Sequence, residues 1–337
     1  MRIKTIAPCR IDLAGGTLDI HPIFLLLPDA CTVNLAININ AEVEIEDADS
    51  DLIELSSIDS GISWSTTPRG GETAPPGLEL AATVVNHLAP EGGLAVRIKS
   101  SSPTGAGIGA SSALCVALVR ALLARRREIM DEADFVQLCL DLEASVLGTP
   151  AGYQDFYASL NGGLQDIKYE PGKITATRLD ADPQTLRKHI LLAYTGKPHH
   201  SGLNNWEVYK RFIDGDRRVR SAFREIGYTA VQMAGALQTG EFDAVWSLLA
   251  REWGQRRKLW PGVSTPAIDS LIGAAEEAGG AGKACGAGGG GCVILWHDGT
   301  DDAISHLRKA VRTNDAEELD WQPAHTGCEI GNSDESA

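Results

Sequence analysis

The chain has 337 residues, is 43% hydrophobic and 22% charged, and carries a formal net charge of -15; its length suggests two domains in one compact body. The acid excess argues against a nucleic-acid partner or an anionic membrane surface, because its long-range field repels both. A small phosphorylated ligand stays allowed, since a few backbone N–H groups and one divalent cation make a locally attractive pocket inside an acidic protein.

In chain order, residues 4–12 read as a mixed strand, followed by a loop at Gly15, Gly16, Thr17, Leu18 and Asp19. Residues 31–46 form a strand whose second half alternates with period two, the mark of a half-buried sheet. Residues 47–77 are rich in Gly, Pro and Ser and read as a connecting or lid-like stretch. A short helix over 78–88 and a strand over 93–100 lead to a glycine loop at 103–109. An apolar helix over 111–127 follows, with a basic last turn that suits its dipole. A helix over 132–147 is broken by Pro150 and Gly152, and a strand forms beyond Gly162 and Gly163. The polar stretch 174–190 is the expected domain junction, dividing 1–180 from 181–337. Beyond it come a buried strand at 189–194, helices across 205–250 and 265–278, a strand at 292–296 after a glycine run, and a helix at 301–311. An acidic, loose tail is expected after residue 329. Strands first, helices between them and strands again make an α+β fold. Seven scattered cysteines without a CxxC pair indicate a reduced protein lacking disulfides or a zinc site. Residues 1–10 lack the apolar core of a signal peptide, and the apolar run at 23–27 is too short for a bilayer, so a cytoplasmic protein is expected.

The strongest chemical signal is residues 103–113, PTGAGIGASSA, between a strand and a helix. Gly105, Gly107 and Gly109 let backbone approach a ligand closely, and the helix behind them offers free N–H groups and a positive dipole end, so phosphate is the natural occupant. Ser111 and Ser112 can cap that helix or hold Mg²⁺. A dinucleotide fingerprint would need G-x-G-x-x-G, but the spacing here is G-x-G-x-G, and a P-loop would need Gly-Lys-Ser/Thr at its end, where there is no lysine.

Residues 103–113 resemble the second signature motif of the GHMP kinases. Residues 7–19 (APCRIDLAGGTLD) resemble the first and 283–292 (KACGAGGGGC) the third, in the right order. The resemblance implies an N-terminal domain like domain 2 of ribosomal protein S5 and a ferredoxin-like C-terminal domain, with ATP between them. Its phosphates would lie on Pro103, Gly105, Ala106, Gly107, Ile108, Gly109, Ala110, Ser111 and Ser112. It further implies Mg²⁺ on Glu143 and Ser111, with Asp155 as catalytic base and Arg10 as partner of that base or of the transferred phosphoryl group. Substrate would meet Asp19, His21, Gly163, Tyr194, Gly288 and Gly289. Gly152 to Asp155 (GYQD) and Tyr194 to Gly196 (YTG) look most like the heptose 7-phosphate kinase and fucokinase branch, whose members act on the anomeric hydroxyl of a sugar or sugar phosphate. Leu18, inserted between Thr17 and Asp19, and Phe156 after the aspartate depart from that branch on the substrate side. Lys197, His199 and His200 stand where they can meet a substrate phosphate or simply face water. Trp64 is a candidate for the adenine side. Two alternatives stay open: a mevalonate-type kinase of the isoprenoid branch, or a non-catalytic ligand-binding protein on the same scaffold. A monomer or a homodimer is expected.

Overall fold

The computed structural model describes residues 1–68, 70, 72–88, 92–198 and 201–332. The first sheet is built from β1 (Arg2–Ala14), β2 (Cys31–Ala48), β3 (Ile53–Ser57), β4 (Ser63–Thr66), β5 (Gly93–Ser100), β6 (Leu164–Glu170) and β7 (Lys173–Arg178). Strands run in the order β1-β2-β5-β3-β4, with β6 on the first half of β2 and β7 outside β6; only β3 and β5 are parallel. Helices α1 (Glu79–Leu88), α2 (Ala110–Arg126), α3 (Glu132–Leu147) and α4 (Gln154–Asn161) cover its inner face, α2 lying across β1 and β2.

The sequence dictates which face that is. In the second half of β2, Ile39, Ala41, Val43 and Ile45 point inward, while Glu42, Glu44 and Glu46 point to solvent. On the wet face Glu44 pairs with Arg2 at 2.8 Å and with Arg97 at 2.7 Å, and Glu42 pairs with Lys4 at 2.7 Å. Exposed pairs of this kind set register more than they add stability. The first half of β2, residues 31–37, is buried on both faces, because α7 (Arg217–Thr239) packs on the side away from α2.

The second sheet is antiparallel. It contains β8 (Ile190–Tyr194) after α5 (Pro183–His189), then β9 (Ala281–Ala284), β10 (Cys292–Trp296) and β11 (Glu317–Glu318), in the order β11-β8-β10-β9. Helices α9 (Pro266–Glu277) and α10 (Asp301–Thr313) cover it, and α8 (Phe242–Arg256) lies against β9. Helix α6 (Ser201–Ile213) and the start of α7 form a third apolar cluster with Leu18, Ile20, Ile23 and Leu259. No helix among the described residues is long and apolar enough to cross a membrane.

Two expectations are corrected. Residues 47–77 are not only a connection: β3 and β4 extend the first sheet, because Ile53 and Leu55 alternate inward over a run too short to stand out among its polar neighbours. Nor is the described start of the tail, residues 329–332, loose; residues 333–337 of the expected tail lie outside the described residues. From Leu319, whose N–H bonds Leu192 O at 2.8 Å, the chain crosses to the first sheet. There Asn38 N meets Gln322 O at 2.9 Å and Ala324 N meets Ala36 O at 2.9 Å. It ends as β12 (Glu329–Asn332), which pairs antiparallel with the outer edge of β1. The polar sequence of β12 gives no hydrophobic signal; the open N–H and C=O groups of β1 supply its order.

Candidate active site

A cavity of about 200 Å³ opens where the end of β1, the glycine loop before α2, the start of α4 and the loop between β9 and β10 converge. Its wall is polar. Three carboxylates (Asp19, Glu143, Asp155) line it with Arg10, which is the one cation among the described lining residues.

Three glycines shape one side of the cavity. Gly105, Gly107 and Gly109 have φ of 65°, 71° and 78°, which a side chain adopts only with strain. Between them Ala106 and Ile108 point into the core and anchor the loop: Ile108 O accepts from Arg10 N at 2.9 Å, and Ala106 O from Cys292 N at 2.7 Å. Gly109 occupies the N-cap of α2, so the serines do not cap it. The first-turn N–H groups of Ala110, Ser111 and Ser112 therefore have no carbonyl partner within the helix, and they face the cavity with the positive end of a 17-residue helix behind them. Pro103 accepts from Ala106 N at 3.2 Å and shapes the loop without lining the cavity.

Next to this loop, Arg10 donates from Nε to Asp155 Oδ1 at 2.6 Å and from Nη1 to Gly107 O at 2.7 Å. Asp155 stands in the first turn of α4, and a Cβ at Gly109 would lie 3.2 Å from its carboxyl carbon. Burial raises the Asp155 carboxyl above its usual range, and the Arg10 charge and hydrogen bond pull it back. Ser112 Oγ donates to Glu143 Oε2 at 2.7 Å. Burial pushes Glu143 up to about 7, helped by the Asp155 charge and opposed by the Ser111 and Ser112 hydroxyls. Across the cavity Asp19 Oδ2 accepts from Gln154 N at 3.0 Å, against a Gly152 that leaves no room for a side chain. Burial lifts Asp19 to about 6.

The raised Glu143 has a consequence for stability. The folded chain keeps the proton over the window between the ordinary value of 4.5 and about 7, so this contribution is complete below the window and is lost as pH rises through it. Relative to Glu143→Gln, the wild-type chain is expected to lose on the order of 2 kcal/mol between pH 5 and 8, read from paired chemical denaturation curves. A constant difference across that range would contradict the buried carboxyl.

Of the substrate residues expected from sequence, only Asp19 lies in the cavity wall. His21 is exposed, its ring edge-on to Phe24 at 5.7 Å. Gly163 lies beyond the far end of α4; its N–H bonds Ala324 O at 2.7 Å, and a Cβ there would strike the Arg178 side chain. Tyr194 Oη donates to Thr104 O at 2.9 Å, joining the second sheet to the glycine loop before α2 from outside. Gly288 and Gly289 pack on Val263, with Gly289 N bonding Val263 O at 2.8 Å. In that loop Gly286 and Ala287 face the cavity, and Gly286 and Gly291 press on Gly107 O and Ala106 O. Lys197 is exposed, and His199 and His200 lie outside the described residues. Trp64 packs half-buried against the core and away from this cavity.

Four charged residues gained no role from the sequence: Asp12, Glu252, Arg256 and Lys283, all at most 1% exposed directly behind the cavity. Asp12 and Lys283 sit inside the first and third motif segments. Glu252 and Arg256, four apart on α8, carry the pattern of an ordinary surface pair.

The model of the GHMP kinases N terminal domain matches residues 78–163, and the GHMP kinases C terminal model matches 233–315, together half of the chain. A bifunctional fucokinase/GDP-fucose pyrophosphorylase of Arabidopsis thaliana is 27% identical over 87% of the chain and 30% of its own length. An L-fucokinase/L-fucose-1-P guanylyltransferase of Bacteroides fragilis is 26% identical over 91% and 36%. The chain thus spans about a third of these two proteins. A D-glycero-alpha-D-manno-heptose 7-phosphate kinase of Campylobacter jejuni is 24% identical over 91% of the chain and 93% of its own length. Mevalonate kinases also match, that of Archaeoglobus fulgidus at 26% over 77% and 82%. Among solved structures, a D-glycero-D-manno-heptose 1-phosphate kinase from Bacteroides thetaiotaomicron superposes with a TM-score of 0.76 at 21% identity, over 98% of this chain and 99% of its own. At that identity the likeness speaks for the fold.

Proposed function

The chain belongs to the GHMP kinase family, and on that premise we propose that it transfers the γ-phosphoryl group of ATP to a hydroxyl of a sugar, the anomeric one in the first instance. The observation that carries the reading is the Arg10–Asp155 pair, at 2.6 Å, set against the open N-terminus of α2 with Asp19 across the same cavity. In this reading residues 105–112 hold the ATP phosphates through backbone N–H groups. The acceptor hydroxyl gives its proton to the Asp155 carboxylate, its oxygen bonds to the γ-phosphorus, and the bond from that phosphorus to the bridging oxygen breaks to leave ADP. Arg10 holds Asp155 ionised and in place, and Asp19 accepts hydrogen bonds from other sugar hydroxyls.

Glu143, Ser111 and Ser112 offer one carboxylate and two hydroxyls. This hard-oxygen set suits Mg²⁺, which these three residues would hold. Among the described residues no three His, Cys, Asp or Glu side chains gather into a cage for a different metal. Bound there, Mg²⁺ neutralises phosphate charge. The same proposal takes residues 1–180 as the part holding phosphate, metal and base, and 181–337, whose last strand returns to the first sheet, as the part bringing the substrate side and the third glycine motif.

The wall also bears on the acceptor. Asp155 and Gly107 O engage Arg10, so a phosphate or carboxylate on the acceptor finds no unengaged cation among the described lining residues and meets Asp19 instead. An uncharged aldose fits this wall better than a heptose 7-phosphate or mevalonate does. ADP release across L-fucose, other aldoses, heptose 7-phosphate and mevalonate, with phosphorus NMR of the product, tests the reading. The expected result is an anomeric phosphate and a kcat/KM at least tenfold higher for an uncharged aldose than for either anion. Preference for the heptose phosphate would bring Lys197 and its neighbours into the site, and turnover of mevalonate alone would overturn the sugar.

A further inference from the structure

We propose that Arg256 is a positioning residue: it ties the acceptor-side loop at 15–20 to the glycine loop at 286–291, so that the two sides of the cavity keep one spacing. The inference rests on the kinase reading for its functional consequence, but its geometry stands apart from any substrate.

Asp12, Lys283, Glu252 and Arg256 form a closed ring of alternating charge. Arg256 Nη2 lies 3.3 Å from Asp12 Oδ2, and Asp12 Oδ1 lies 3.2 Å from Lys283 Nζ. Lys283 Nζ is 3.3 Å from Glu252 Oε2, and Glu252 Oε1 returns to Arg256 Nη2 at 2.7 Å. The lysine contacts are ion pairs without hydrogen-bond alignment, whereas Arg256 is hydrogen-bonded through all three of its nitrogens. The ring is neutral and joins β1 of the first sheet to β9 of the second and to α8, which lies against β9. Buried ion pairs rarely stabilise a fold more than apolar residues of the same volume, so a stabilising role alone accounts poorly for four charges here.

What Arg256 does outside the ring supplies the reason. Its Nη2 donates to Gly16 O at 2.9 Å, and its Nη1 to Thr17 Oγ1 at 3.2 Å and to Gly286 O at 2.9 Å. Thr17 has φ of 72°, an uncommon and strained conformation for a β-branched residue, which persists only where its surroundings fix it. Thr17 and Asp19 line the cavity on one side and Gly286 on the other; Arg256 does not line it and acts through them. Only a planar fork reaches both loops at once. A lysine keeps the charge of the ring but offers its donors from a single point.

Arg256→Lys is therefore the informative variant, with Leu249→Ala, a buried apolar position on the same helix, as the control for general destabilisation. Hydrogen exchange by mass spectrometry on the full chain needs no acceptor. In Arg256→Lys, segments 15–20 and 286–291 are expected to exchange at least tenfold faster together, and in Leu249→Ala to stay within threefold of wild type. With L-fucose as the acceptor, Arg256→Lys is expected to raise acceptor KM at least tenfold while the Kd for Mg·ADP changes less than threefold. Thr17→Val, which deletes one contact only, is read in parallel and is expected to loosen 15–20, so the idea remains testable should the lysine variant not fold. Wild-type exchange in either loop of Arg256→Lys, or in 15–20 of Thr17→Val, overturns the proposal. So does a loss of acceptor and nucleotide affinity in step with that of Leu249→Ala. Absence of any sugar turnover in the wild-type chain would count against the kinase reading alone, because the exchange result decides this proposal by itself.

Discussion

Asp155→Asn is expected to lower kcat by about three orders of magnitude, within the range by which a positioned base accelerates proton transfer, while changing the KM for ATP less than threefold. The substitution is nearly isosteric, and its amide oxygen can still accept from Arg10 Nε, so the geometry at 2.6 Å is largely kept. What is lost is the capacity to take a proton. Arg10, 4% exposed at its side chain, also loses its counter-charge, and the melting temperature is expected to fall as well. The two effects separate in the measurement: single-turnover rates on saturated enzyme report the chemistry, and calorimetric binding of ADP reports the intact nucleotide site. A kcat within tenfold of wild type would remove Asp155 from the reaction and leave the Arg10 pair as a structural contact.

Glu143→Gln should weaken Mg²⁺ binding to the ADP complex at least tenfold, which is about 1.4 kcal/mol or more. A neutral amide of the same shape can still accept from Ser112 Oγ, as the carboxylate does at 2.7 Å, so the α2–α3 contact survives and the charge alone is removed. Magnesium titrations of the ADP complex followed by calorimetry read this directly, without turnover. The carboxyl also has to lose its proton to serve a cation, and with its value near 7 the wild-type affinity should rise between pH 6 and 8. The variant should show a flat profile. An unchanged Mg²⁺ affinity in Glu143→Gln would take the metal elsewhere and leave the buried carboxyl unexplained.

The glycine loop before α2 was legible in the sequence because φ near 70° at three alternating positions is met without strain by glycine. Glu143 and Asp155 were not legible alone. A helical acid looks the same on a surface as in a cavity, and only their place between the motifs singled them out. The glycines expected to meet substrate lie outside the cavity wall for the complementary reason. Gly163, Gly288 and Gly289 do mark close approaches, but what approaches is the Arg178 side chain in one case and Val263 in the others. Glycine announces that space is short without saying what fills it. The Arg256 ring was hidden in a different way: its members lie at 12, 252, 256 and 283, and their burial depends on the packing of two sheets that local pattern does not encode. The α+β organisation was readable from element order, whereas β3, β4 and β12 were too short or too polar to show a period.

The crossing of the chain from β11 back to β1 bears on how the molecule comes into being. Ile6 faces Glu329 across the ladder, so the first sheet draws its outermost strand from a segment that leaves the ribosome almost a whole chain-length later. Contacts of such long sequence separation close slowly, because loop entropy is lost before they form. Until they do, the edge of β1, the strand that also carries Arg10, stays open to pairing with other chains. The strand that bears Arg10 is thus made long before the segment that shelters its edge.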